Sequence, residues 1–243
     1  MNSDQDSTDS SENQESGNRG VFGLAFDFYV TNFTQLFLLV LQVFFLAYLA
    51  EEIFEGDLIL SLIYGAILAP LSVAVHRAIV LQEPLDASQY LPSFRYGRVW
   101  KFFGYGVLIA LFGFLIVTLF SIIAGAGLFM GAMSDGSGSQ FGVAILIGIA
   151  IAIAVVLLLR FAFVWPAIAT DQFQSLGDSA RQMRGMSWKV LGALIMVALP
   201  LVAVGFLAEL LRFLSPVSDV ASFLWIPLGP AVLSFVYISA TAD

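Results

Sequence analysis

From Phe141 to Leu159 the chain carries no polar side chain. A run of that length has one stable setting, because a helix needs about 20 apolar residues to cross the hydrocarbon core of a bilayer. Similar runs recur along the chain, and 59% of its 243 residues are hydrophobic against 12% charged. Soluble domains average roughly 45–50% apolar and 25% charged, so a soluble fold is excluded. The class expected is all-α: a polytopic membrane bundle of six transmembrane helices with interfacial helices in its cytoplasmic loops.

Residues 1–20 are rich in Ser, Asn, Gln and acids, and cannot bury enough apolar surface to offset their ordering entropy. They are expected to form a disordered acidic tail preceding a single transmembrane domain over 21–243. That tail holds Asp4, Asp6, Asp9, Glu12 and Glu15, so the formal charge of -8 says little about partners of the remainder. No basic region followed by a short apolar segment opens the chain, and no cleaved signal peptide is expected. Cysteine is absent, which excludes disulfides, thiolate metal sites and Cys nucleophiles.

Val21 to Asn32 mixes aromatic residues with Asp27 and reads as an interfacial helix leading into the first span. The spans are expected near 33–50, 58–81, 101–133, 141–165, 190–211 and 220–240. Pro70 and Pro200 fall inside the second and fifth, and Pro166 marks a kink or exit of the fourth. The third exceeds a bilayer thickness, which implies tilt or projection. Between the second and third lies QEPLDASQYLPSFRYGRVWK, too polar to cross and read as a long loop; SDGSGSQ supplies a flexible turn.

Cytoplasmic loops accumulate Lys and Arg, whereas acids contribute little to orientation. With the N-terminus inside, Arg19, Arg77, Arg95, Arg98, Lys101, Arg181, Arg184 and Lys189 fall on the cytoplasmic side, Arg160 lies near it, and Arg212 alone is outside. Both termini are therefore expected in the cytoplasm. Trp100–Gly104 (WKFFG) and Trp188–Gly192 (WKVLG) each follow a basic pair and open a span, which suggests repeated units of lead-in plus hairpin.

Ionisable residues within or beside spans are the candidate functional positions. Arg160 follows the uninterrupted apolar run Phe141–Leu159 and reads either as a lipid-headgroup site or as a side chain snorkelling to the interface. Asp171 lies about three helical turns beyond it, too far to pair on a straight helix. His76, the only histidine, adjoins Arg77 and reads as an interfacial hydrogen-bonding residue, since no metal-ligand partner stands at suitable spacing. Glu209 and Arg212 are spaced to pair on one helix. Arg181, Arg184, Trp188 and Lys189 fall near one face of a short amphipathic helix opposite Ala180, Met183 and Met186, suited to an anionic leaflet. Small-residue rows at Ser61/Gly65/Ala69, Ala144/Gly148/Ala152 and Gly127/Gly131 point to close helix packing.

Phosphate loops, zinc-protease motifs and dinucleotide fingerprints are absent. The stretch Arg160–Ala167 (RFAFVWPA), Asp171 and Ser179–Lys189 (SARQMRGMSWK) resembles a broad bacterial family. It includes the membrane domain beside the catalytic domain of some glycerophosphodiester phosphodiesterases, and stand-alone proteins of unknown function. Val75–His76–Arg77 through Glu83, with Arg95 and Arg98, is similar to the stand-alone members. The resemblance implies a six-helix bundle without the phosphodiesterase chemistry, which belongs to a separate soluble domain. The function expected is that of a non-enzymatic inner-membrane scaffold or accessory in an envelope or lipid-related process. It would take no cofactor and no nucleic acid, and would contact anionic headgroups and a membrane-protein partner; the alternative is a small-solute or lipid transporter.

Overall fold

A computed structural model describes residues 20–132, 159–173, 175–210 and 221–241, with scattered positions between 145 and 156. All regular structure among them is helical. Five helices are long and apolar enough to cross a membrane: Phe33–Ile53, Asp57–Val80, Gly97–Ile122, Ser187–Leu207 and Ala221–Thr241. Part of the expected fourth span, 141–144 and scattered positions up to 158, lies outside the described residues, as do the tail 1–19 and Arg212.

Helix α1 (Val21–Thr31) joins α2 (Phe33–Ile53) at Asn32, whose N–H donates to Phe28 and whose carbonyl accepts from Leu36, each at 3.0 Å. The lead-in helix is packed into the bundle: Ala25 is fully buried, and Tyr29 donates to the Leu224 carbonyl at 2.9 Å. Along α2 the buried positions Leu36, Leu39, Val40, Val43, Ala47 and Ala50 form one helical stripe. Gly56, at φ 98°, makes the turn into α3 (Asp57–Val80) in a conformation that glycine adopts without cost. Helix α3 is the hub of the fold, packing on α2 and on the helices Gly97–Ala132, Val164–Ala169 and Leu228–Thr241.

The segment after α3 is mostly exposed but sends Ala87 and Tyr90 inward. A 3₁₀ turn (Ala87–Gln89) and α4 (Tyr90–Ser93) dip between α2 and α3, burying Ala87 and Tyr90 among Leu39, Val43, Ile67 and Leu71. Irregular backbone at such depth needs protein partners for its polar groups. Gln35 accepts from the Ala87 N–H at 3.1 Å and Gln42 donates to its carbonyl at 3.0 Å. The expected loop is thus a re-entrant element, held because two polar side chains of the first span meet its backbone.

Helix α5 (Gly97–Ala132) has 36 residues, roughly 54 Å at 1.5 Å per residue, well beyond a bilayer core. It approaches α3 where Gly65 lacks a side chain: a Cβ there would stand 3.3 Å from the Phe103 ring. The described positions between 145 and 159 are helical, and the chain then turns at 160–163 into α6 (Val164–Ala169). The break precedes Pro166 because proline has no N–H for the Ala162 carbonyl and its ring crowds that oxygen. Shorter i to i−3 bonds, Ala162 to Leu159 and Val164 to Phe161, replace the ladder, and Pro166 sits in the first turn of the new helix.

Helix α7 (Leu176–Gln182) ends before Met183, Gly185 adopts φ 90°, and α8 (Ser187–Leu210) begins. The expected amphipathic helix carrying Arg181, Arg184, Trp188 and Lys189 is therefore two helices joined by a turn. Met183 is fully buried, as an inward face requires, while the four polar or aromatic residues remain exposed. The last span turns at Ile226–Pro227 and finishes as α9 (Leu228–Thr241), which packs against α1, α3 and α8.

Candidate functional site

Arg77 occupies the last turn of α3, where a cation suits the helix C-terminus. Gln82, at φ 55°, reverses the chain so that Glu83 returns to Arg77. Nε donates to Oε2 at 2.7 Å, and Nη2 pairs with Oε1 to complete a two-pronged contact. Nη1 of the same guanidinium donates to the Ala169 carbonyl at 3.0 Å and faces Asp171 Oδ2 at 3.4 Å. Arg98, near the start of α5, donates to that oxygen at 2.9 Å and lies 5.2 Å from the Tyr96 ring centroid. Four charged side chains thus bind the ends of α3, α5 and α6 to the re-entrant segment.

Asp171 closes α6 in a left-handed conformation, φ 59°. Its N–H donates to Ile168 at 3.2 Å and that of Gln172 to Ala167 at 2.8 Å, the paired bonds of a Schellman turn, in which glycine is usual. Gln82 and Asp171 are the non-glycine residues of positive φ among the described residues, and both serve this one network. Partly exposed ion pairs contribute little stability, with the Asp171 side chain 62% exposed. The backbone strain therefore positions the carboxylate; folding alone would favour glycine there. Beside the network a cleft of about 240 Å³ extends from Glu83 and Arg98 to Val73 and Pro70 in α3. Burial pushes the Tyr90 phenol in its wall up from the ordinary tyrosine range.

His76 forms the hydrogen bond expected of it, but inside the protein. It is 1% exposed, between α3 and α9, with Nδ1 2.7 Å from Ser234 Oγ. The serine hydroxyl spends its proton on the Pro230 carbonyl at 3.0 Å, so Nδ1 is the donor in that pair. Arg160 and Asp171 stay apart: Arg160 is exposed and forms no ion pair among the described residues. It instead lines a second cleft, about 250 Å³, with Trp188 and Leu191. Arg181 pairs with Asp178, whose carboxyl is held below the usual range by the Ser175 hydroxyl and by Arg181. Arg184 and Lys189 are exposed, in the turn before α8 and in its first turn.

The structure therefore joins Arg77 and Asp171, and separately Arg160 and Trp188, but leaves His76 in the core. Glu83 was prominent only through the family resemblance, and Arg98 also as one of the basic residues that set the orientation. Gln35 and Gln42 carried a signal of their own, seven residues apart on one face of an apolar helix. Among the described residues no group of three His, Asp or Glu could hold a metal ion.

A helical membrane protein, with its polar side chains gathered beside the ends of its spans, is the class that this fold defines. Comparison with protein-family models, curated proteins and solved structures finds no match in any of the three.

Proposed function

We propose that the chain is a non-enzymatic protein of the bacterial inner membrane, a scaffold or accessory in an envelope or lipid-related process. It crosses the bilayer six times with both termini in the cytoplasm, and belongs with the bacterial family to which Arg160–Ala167 and Ser179–Lys189 are similar. The observation that carries this reading is the mutual satisfaction of the polar groups. Arg77, Glu83, Asp171 and Arg98 neutralise one another, and His76 is bonded to Ser234. Catalysis would call for a nucleophile or base within reach of a substrate. Arg160, Arg184 and Lys189, with Trp188, remain on the surface to meet anionic headgroups or a membrane-protein partner.

Crosslinking in native membranes followed by affinity purification tests this. A discrete membrane-protein partner, crosslinked through residues 181–189, is the expected result. The transporter reading draws on the cleft lined by Arg160, Trp188 and Leu191. Solute uptake by proteoliposomes that disappears on Arg160→Ala would establish it and overturn the scaffold.

A further inference from the structure

Two clefts meet at Arg160. One is lined by Val156, Leu159, Arg160, Ser187, Trp188 and Leu191 together with Gly185, and encloses about 250 Å³. The other is lined by Ile149, Ala152, Ile153, Val156 and Arg160, with about 380 Å³. Val156 and Arg160 line both, so the two adjoin as a groove along this face. Its wall is aliphatic from Ile149 to Leu159, and Ile149, Ile153 and Val156 are all exposed. At its end stands a guanidinium with no ion-pair partner among the described residues, beside Trp188, which is 77% exposed.

We infer that this groove seats one anionic phospholipid, its phosphate on Arg160 and an acyl chain along Ile149–Leu159. The inference rests on the membrane-scaffold reading and narrows its lipid contact to a single place. Charge and shape together select the occupant. An arginine at the end of an apolar span lies where lipid phosphates lie, and its planar fork matches two phosphate oxygens. A free phosphate would satisfy the guanidinium but leave the aliphatic wall uncovered, roughly 10 Å of helix from Ile149 to Val156. A hydrocarbon chain covers it. Trp188 supplies an amphipathic ring of the kind enriched at headgroup depth. The opening turn of α8 adds N–H groups without intrahelical partners, which strengthen an anion site already marked by Arg160.

The full chain is reconstituted in vesicles of phosphatidylcholine with a minor fraction of phosphatidylglycerol, extracted in mild detergent, and weighed by native mass spectrometry. One phosphatidylglycerol should stay on the wild type. Retention should fall about tenfold in Arg160→Ala, the worth of one charge-assisted hydrogen bond. Leu191→Trp, which fills the groove and keeps the charge, should lose it similarly, and serves if Arg160→Ala does not fold. Arg95→Ala, at an exposed position away from both clefts, should retain the lipid, and inorganic phosphate should not displace it. Equal retention by the wild type and both groove variants overturns the inference, as does displacement by phosphate or indifference between the two lipids. If Arg184→Ala and Lys189→Ala lose phosphatidylglycerol while Arg160→Ala keeps it, the groove is wrong and the broader reading survives. If no variant alters lipid retention, both fall.

Discussion

The Tyr90 hydroxyl donates a 2.6 Å hydrogen bond to the Ile67 carbonyl, three residues before Pro70. Trp225 repeats the arrangement in α8, its Nε1 donating at 2.7 Å to the Val197 carbonyl, three residues before Pro200. A proline inside a helix removes the donor to the carbonyl four residues earlier, here Ala66 and Met196, and its ring crowds that turn. Ile67 and Val197 are the next carbonyls along. Beside each internal proline, therefore, an aromatic donor from another element bonds the carbonyl adjoining the freed one.

Tyr90→Phe removes one such donor without changing the packing volume much. It should destabilise the protein by about 0.5–1.5 kcal/mol, the range for one lost hydrogen bond between elements of a membrane protein. Trp225→Phe should cost at least as much, because packing is lost too. Unfolding titrations in mixed micelles measure both, and unchanged midpoints would show that the carbonyls find other partners.

Asp171 gives a prediction of opposite sign for two small residues. A left-handed conformation costs a residue with a Cβ roughly 1–2 kcal/mol relative to glycine, whereas an exposed ion pair is worth about 0–1 kcal/mol. Asp171→Gly should therefore leave stability unchanged or raised, and Asp171→Ala should be less stable than Asp171→Gly by about 1 kcal/mol. Equal stability of the two variants in the same titration would remove the argument that strain is retained here to position a carboxylate.

The cap of α7 predicts a pH dependence. Ser175 and Arg181 depress the Asp178 pKa, so the folded chain prefers the carboxylate. Its contribution is present above the unfolded value of about 3.9 and is lost as pH falls through the lower folded value. The Asp178 carbon-13 carboxyl signal should titrate below about pH 3.9 in the wild type. Arg181→Ala and Ser175→Ala should each bring its midpoint upward. A midpoint that neither substitution moves would contradict the contacts.

The spans were legible wherever an apolar run had clear ends: α2 and α3 start and stop within a few residues of expectation, because Glu51, Gly56 and Asp57 interrupt the hydrophobic sequence. The re-entrant segment was not. Burial of Ala87 depends on Gln35 and Gln42, far away in sequence, and local polarity made the segment look solvated. The network at Arg77 was hidden for the same reason, since Asp171 reaches it across 94 residues and its left-handed backbone leaves no mark on composition. Gly185 did leave a mark. A glycine between Arg184 and Met186 was the visible stop that divides α7 from α8.

Topology is checked by reporters fused after Asp243 and inserted at Ser137. Six spans require them on opposite sides of the membrane, with Asp243 in the cytoplasm. Finding both on one side would remove a span or add one.

The central proposal is that Arg77, Glu83, Asp171, Arg98 and His76 satisfy one another and neighbouring groups rather than act on a substrate. Its most direct test is lipid turnover in proteoliposomes containing glycerophospholipid and glycerophosphodiester, followed by mass spectrometry of the extracted lipid. The account predicts unchanged lipid with the wild type and with Asp171→Asn and His76→Ala. Hydrolysis or transfer by the wild type that both substitutions abolish would contradict it.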